Sequence, residues 1–173
     1  MFEPSHAKLT IASLEPEATD LAVEAQYNPK ELQVDKPVPW LEHEQLQLEY
    51  GGIKAHTLSV ELLVDGYETG TSIVSTVEQL ERLSSPRDAS SKREQMRRPH
   101  RCVVLWGHAG MPRLRCVIEQ LTTKYVVWDR AGRPLRAICT VKLKEAKTDR
   151  DELQHEARQQ QRADAATRRR AAG

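Results

Sequence analysis

His100 and Cys102 stand two residues apart, the spacing that puts both side chains on one face of a β-strand, and imidazole with thiolate is a metal-ligand pair. A site needs a third and usually a fourth ligand, and none is spaced to join them. His6, His43, His56, His108 and His155 are scattered, and Cys102, Cys116 and Cys139 include no CxxC pair. Glu42-His43-Glu44 reads as a solvated loop rather than as an acid–base group. The sequence holds no GxSxG elbow, no glycine-rich phosphate loop, no HExxH and no EF-hand pattern. The expectation is a protein that is not an enzyme and that uses no metal and no cofactor. The three cysteines fall in strand-like runs and read as buried free thiols of a reducing compartment.

Arginine carries the remaining chemistry. Arg87, Lys92, Arg93, Arg97, Arg98 and Arg101 crowd a stretch that holds only Asp88 and Glu94 in opposition, and Arg168-Arg169-Arg170 lie near the end of the chain. Such clusters suit nucleic-acid phosphates, and a small β-barrel binding nucleic acid through the 87–101 loop and the tail is the alternative reading. No aromatic residues interleave with them, however, and the formal net charge of the whole chain is only +1. Contact with acidic neighbours in a protein assembly fits better, because the guanidinium fork pairs with a carboxylate through two parallel hydrogen bonds. Nucleic acid is not expected as a partner.

The elements that must position these groups are mostly strands. Short strand-like runs cover Lys8 to Ala12 and Leu21 to Tyr27; the latter ends at Asn28-Pro29, where Pro29 is suited to open a short turn of helix. Lys36-Pro37-Val38-Pro39-Trp40 must be extended yet lie outside a sheet interior, since two amide donors are missing. Gln45 to Tyr50 and His56 to Asp65 flank a Gly51-Gly52 turn signal and are expected to pair with each other. Ile73, Val77, Leu80 and Leu83 form one buried stripe of a helix over Ile73 to Leu83, with Thr71 or Ser72 as its cap. Further strands are expected at Arg101 to Trp106, Arg113 to Glu119, Leu121 to Trp128 and, after an Asp129-Arg130-Ala131-Gly132 turn, Leu135 to Lys144. The fold class is therefore mainly β (α+β): a small, closed or half-closed antiparallel barrel with one packed helix.

Length and composition fit one such domain with a tail. The 173 residues are 29% charged with a mean hydropathy of −0.63, and no apolar run approaches the ~20 residues of a membrane span. The first residues lack the basic start and apolar stretch of a signal peptide, so assembly in a cytoplasm without membrane insertion is expected. The barrel is assigned to residues 1–147. Residues 148–173 are rich in Gln, Glu, Ala and Arg with one large apolar residue, Leu153, and form a helix-prone or extended charged tail.

The order of motifs carries a resemblance. Tyr27-Asn28-Pro29-Lys30-Glu31-Leu32 precedes Leu58-Ser59-Val60-Glu61-Leu62-Leu63-Val64-Asp65-Gly66-Tyr67-Glu68-Thr69-Gly70 and the helix. Cys102-Val103-Val104-Leu105-Trp106-Gly107 and Cys116-Val117-Ile118-Glu119-Gln120-Leu121 follow. Then come Asp129-Arg130-Ala131-Gly132-Arg133-Pro134-Leu135-Arg136-Ala137 and Thr140-Val141-Lys142-Leu143-Lys144-Glu145. From Leu9 to Lys147 this set resembles the tube-type N-terminal domain of the baseplate protein of contractile injection systems and phage-like tails. Asp65-Gly66-Tyr67 departs from an Asp-Thr-Tyr-like triplet, and the LysM module common in the family does not follow here. The resemblance implies an adaptor forming a homo-oligomeric ring, a hexamer, that couples inner tube or spike to baseplate and sheath. Contact residues expected on that reading are Trp40, Tyr67, Glu68, Arg87, Arg93, Arg97, Arg98, Arg168, Arg169 and Arg170.

Overall fold

The computed structural model describes residues 7–42, 48–50, 52, 54–93, 96–107 and 114–146. The charged tail lies outside them. Nine strands and one α-helix are built from these residues: β1 Thr10–Ser13, β2 Ala22–Glu24, β3 Leu32–Asp35, β4 Trp40–Glu42, β5 Leu48–Tyr50, β6 Thr57–Asp65, α1 Val74–Ser84, β7 Arg101–Leu105, β8 Leu114–Trp128 and β9 Pro134–Glu145. A short 3-10 turn, Pro16–Ala18, links β1 to β2. Seven strands form one antiparallel sheet in the order β2-β1-β7-β8-β9-β6-β3, and β4 pairs with β5 in a separate ribbon. The expected mainly β fold with one packed helix is the one the described residues adopt.

Alternation drives the sheet. In β6, Leu58, Val60, Leu62 and Val64 are buried, and they face Leu143, Val141, Cys139 and Ala137 of β9 across the ladder. In β1, Ile11 opposes Val104 of β7, and Cys102 of β7 opposes Cys116 of β8. On α1, Val77, Leu80 and Leu83 turn inward at helical spacing, and the helix packs on β8 and on β2. Leu80 and Leu83 are fully buried, each worth roughly 1.5–3 kcal/mol of transfer free energy. The Ser72 hydroxyl accepts the Val74 amide at 3.3 Å, so it serves the first turn from just outside the helix.

Among the described residues β2 and β3 are the two end strands of the sheet. Two side-chain amides stitch the chain beyond β2 to strands on either side. Gln26 donates Nε2 to the Asp65 carbonyl at 2.7 Å and accepts the Asp65 amide at 2.8 Å, which reproduces a backbone pair. Asn28 accepts the Leu9 amide at 3.1 Å and donates to the Ala7 carbonyl at 3.0 Å. The Asn-Pro break is thus a point where side chains replace the ladder.

Three sequence expectations need correction. Leu48–Tyr50 pairs with Trp40–Glu42 and not with β6, because both flanks of β6 are already taken by β3 and β9. The runs 113–119 and 121–128 are one strand, β8, interrupted by a register shift between Ile118 and Gln120. That bulge at Glu119 moves the inward set from Cys116 and Ile118 to Leu121 and Thr123, which reads as a break in alternation. After Pro29 there is no turn of helix; the chain extends into β3, with Leu32 against Val60.

Candidate functional site

The expected contact residues fall in three places. The first is the turn after β6. Asp65 pairs with Arg136 at 2.6 Å through Oδ2, and its Oδ1 accepts the Tyr67 amide at 2.9 Å. The Arg136 hydrogen bond and then the Tyr67 amide hold the Asp65 carboxyl below its ordinary range. Arg136 also lies over the Tyr67 ring, 5.9 Å from its centroid, so Tyr67 is oriented although 59% exposed. Glu68 is exposed on the same turn. Gly66 is buried beneath it, and a Cβ there would meet the Thr71 carbonyl oxygen at 2.0 Å.

The second place is the arginine-rich loop, and here the structure separates its members. Pro86 bridges to Pro99, the Arg87 amide donates to the Arg98 carbonyl at 3.1 Å, and the Asp88 amide donates to the Met96 carbonyl at 2.8 Å. Arg87 and Arg98 then turn inward onto one carboxylate. Glu15, 6% exposed, takes Arg87 Nη1 on Oε2 at 2.9 Å and Arg98 Nη1 on Oε1 at 2.7 Å. It also accepts the Arg101 amide at 3.0 Å, and Arg87 pairs in addition with Glu17. Burial by itself would raise the Glu15 carboxyl; the hydrogen bonds from Arg98 and the Arg101 amide and the charges of Arg98 and Arg87 together outweigh it and hold it below its usual value. Arg93 and Arg97, by contrast, are exposed. The loop therefore presents a smaller basic surface than its composition suggests, because two of its arginines serve the fold.

The third place is the two-stranded ribbon β4-β5 and the edge beside it. Trp40 is 56% exposed at the start of β4, with Val38, Leu41 and, on edge strand β3, Val34 also half exposed or more. On the face of the sheet opposite the core, Tyr27, Pro29, Leu63 and Ile138 line a groove of about 480 Å³, with Lys30, Glu31 and Glu61 at its sides. This apolar groove was not foreseen; Leu63 and Ile138, cross-strand partners that break alternation on the outward face, were its signal. Arg168, Arg169 and Arg170 lie outside the described residues.

Among the described residues, no group of three or more His, Cys, Asp or Glu side chains is placed to hold a metal ion. Cys102 and Cys116 are buried, and burial pushes both thiols up to about 12. Among the described residues, no helix is long and apolar enough to cross a membrane. The surface features at these places are an aromatic arm, an ordered turn and an outward apolar groove, and among the described residues no further strand pairs with the sheet edges β2 and β3.

Comparison with known proteins adds a family. The family model described as contractile injection system tube protein matches residues 5–154, nearly the whole of the chain. No curated protein matches it.

Proposed function

We propose that this chain, which belongs to the contractile injection system tube protein family, is a non-catalytic adaptor ring at the junction of tube or spike with baseplate and sheath. A structural, tube-type role follows from the family itself. The observation that carries the finer reading is the sheet order, which leaves two unlike edges, β2 and β3, at opposite ends. A closed ring needs heterologous, head-to-tail contacts, and a subunit with two different free edges supplies them. Six copies per ring and assembly in the cytoplasm before incorporation into a particle complete the proposal. Trp40, Tyr67, Glu68, Arg93 and Arg97 act as contacts to neighbouring subunits, Arg87 and Arg98 hold the loop that presents them, and Arg168, Arg169 and Arg170 dock the tail.

Electron cryomicroscopy of particles purified through a tagged copy tests this. A single ring of six between tube or spike and baseplate is the expected result. Density repeating along the whole tube would make the chain an ordinary tube subunit and end the adaptor reading. A free monomer, or a complex with nucleic acid, would end both. Particles that assemble normally without residues 148–173 would remove the docking role of the tail.

A further inference from the structure

The cluster around Glu15 contains a group that neither the fold nor the proposed role uses. His100, 8% exposed, sits between the end of the arginine-rich loop and β7. Its Nδ1 lies 3.0 Å from the Ser13 hydroxyl, which already accepts the Glu15 amide at 3.1 Å. A hydroxyl has one proton to give and two lone pairs, so with the imidazole neutral either Ser13 Oγ or Nδ1 can donate in this contact, whereas a protonated imidazole can only donate there. Around it stand Glu15 and Glu17 after β1, Arg82 from the last turn of α1, Arg87 and Arg98 from the loop, and the Cys102 thiol, which donates to the His100 carbonyl at 3.5 Å. Arg82, Arg87 and Glu17 line a cleft of about 310 Å³ together with His100.

We propose that His100 and Glu15 form a proton-operated latch: a proton taken up by His100 loosens the grip of Glu15 on Arg87 and Arg98 and frees the two limbs of the loop, 86–88 and 96–99, from the body. Imidazolium can only donate from Nδ1, so the Ser13 hydroxyl must accept there and turn its own proton to another acceptor. The new charge also competes with Arg87 and Arg98 for the same carboxylate and repels Arg82. The limbs depend on that carboxylate, since one Glu15 side chain holds both roots of the loop and the amide of Arg101. Burial, and then the surrounding arginines, keep His100 below its usual value against the pull of Glu15. A group depressed in the closed form takes its proton more readily once the limbs open, so the closed form is favoured above pH 6.5 and loses ground as pH falls below it.

Amide hydrogen exchange of the full chain, followed by NMR from pH 7.5 to 5 and corrected for intrinsic rates, reads this directly. Protection of the Arg87 and Asp88 amides, which bond to Arg98 and Met96, is expected to fall below pH 6.5 by up to about tenfold per pH unit, the limit for one proton. Amides in the β8-β9 ladder report global opening and are expected to change far less. His100→Asn places a non-titrating amide group within reach of the Ser13 hydroxyl in place of Nδ1, and is expected to keep the protection while flattening its pH dependence. Protection that stays level to pH 5 overturns the latch, and so does a slope that persists in His100→Asn. Should that variant not fold, imidazole titration in the wild-type chain decides. Limb protection that starts to fall near pH 6.5 and levels off at the His100 midpoint supports the latch; a fall that ends well above that midpoint or continues well below it overturns the latch.

Discussion

Replacing Glu15 by Gln tests whether one carboxylate organises the arginine-rich loop. The substitution keeps shape and one acceptor for the Arg101 amide, but removes the charge that faces Arg87 and Arg98 at 2.9 and 2.7 Å. Breaking a buried ion pair from one side costs about 3–5 kcal/mol, most of it the penalty on the cation left behind. Here Glu17 still pairs with Arg87, and the Arg98 side chain keeps 27% exposure, so the lower end, about 3 kcal/mol, is expected. For a chain of this size that corresponds to a fall in Tm of roughly 6–12 °C. Urea unfolding at pH 7 measures it, with an unchanged m-value showing that the folded state is otherwise kept. The pH dependence has a definite sign. The carboxyl is held below its unfolded value, so as far as its own titration goes its contribution is complete above the unfolded value of 4.5. It disappears as pH falls through the folded value, and the gap between wild type and Glu15→Gln should close with it. A loss below about 1 kcal/mol, the worth of an exposed pair, would refute the argument.

Three further predictions follow from other places. Gly66→Ala sets a Cβ against the Thr71 carbonyl at 2.0 Å, backbone that moves only with its turn, and should cost about 1–3 kcal/mol in denaturant unfolding; a change within 0.5 kcal/mol or so would mean the turn is slack. Cys102 and Cys116 should resist an aromatic disulfide reagent at pH 8 in the folded protein, with thiolate at about one part in ten thousand, and react promptly in urea. Fast labelling of either in the native state would contradict their burial. Trp40→Ala should leave folding stability within about 0.5 kcal/mol yet reduce incorporation into particles, as measured by pull-down of assembled complexes. Undiminished incorporation would remove Trp40 from the contact surface.

How far residues announce their own placement differs across this chain. β6, β9 and α1 are legible because each buries a full stripe at its own period: Leu58 to Val64, Ala137 to Leu143, and Val77, Leu80, Leu83. β8 misleads because a single extra residue at Glu119 reverses its alternation, and the eye reads a strand boundary where there is a bulge. The pairing of β4 with β5 is hidden because adjacency in sequence favours the Gly-Gly turn, whereas β6 has its flanks filled by β3 and by a strand from the far end of the chain. The role of Arg87 and Arg98 is hidden for a similar reason: Glu15 lies 83 residues from Arg98. One signal did exist. Leu9, Ile11, Ser13 and Glu15 all point inward with period two, so the apolar stripe of β1 runs straight into a carboxylate, and a buried carboxylate demands a cation.

The pairing of β1 with β7 also sets a timetable for synthesis. Thr10–Ser13 finds its ladder partner only at Cys102–Leu105, about 90 residues later. At about 5–20 residues per second, the β1-β2 hairpin leaves the ribosome roughly 5–20 s before its neighbour exists. During that interval Leu9, Ile11, Leu21 and Val23, all buried in the finished sheet, lack the cover that β7 brings. β6 then waits in turn for β9, whose last paired residue is Glu145. Nascent chains of this protein therefore lack the partners of β1 and β6 until β7 and β9 are made. Cells that translate it quickly, or in many copies on one message, face a selection for early shielding by a chaperone or by the edges of sister chains.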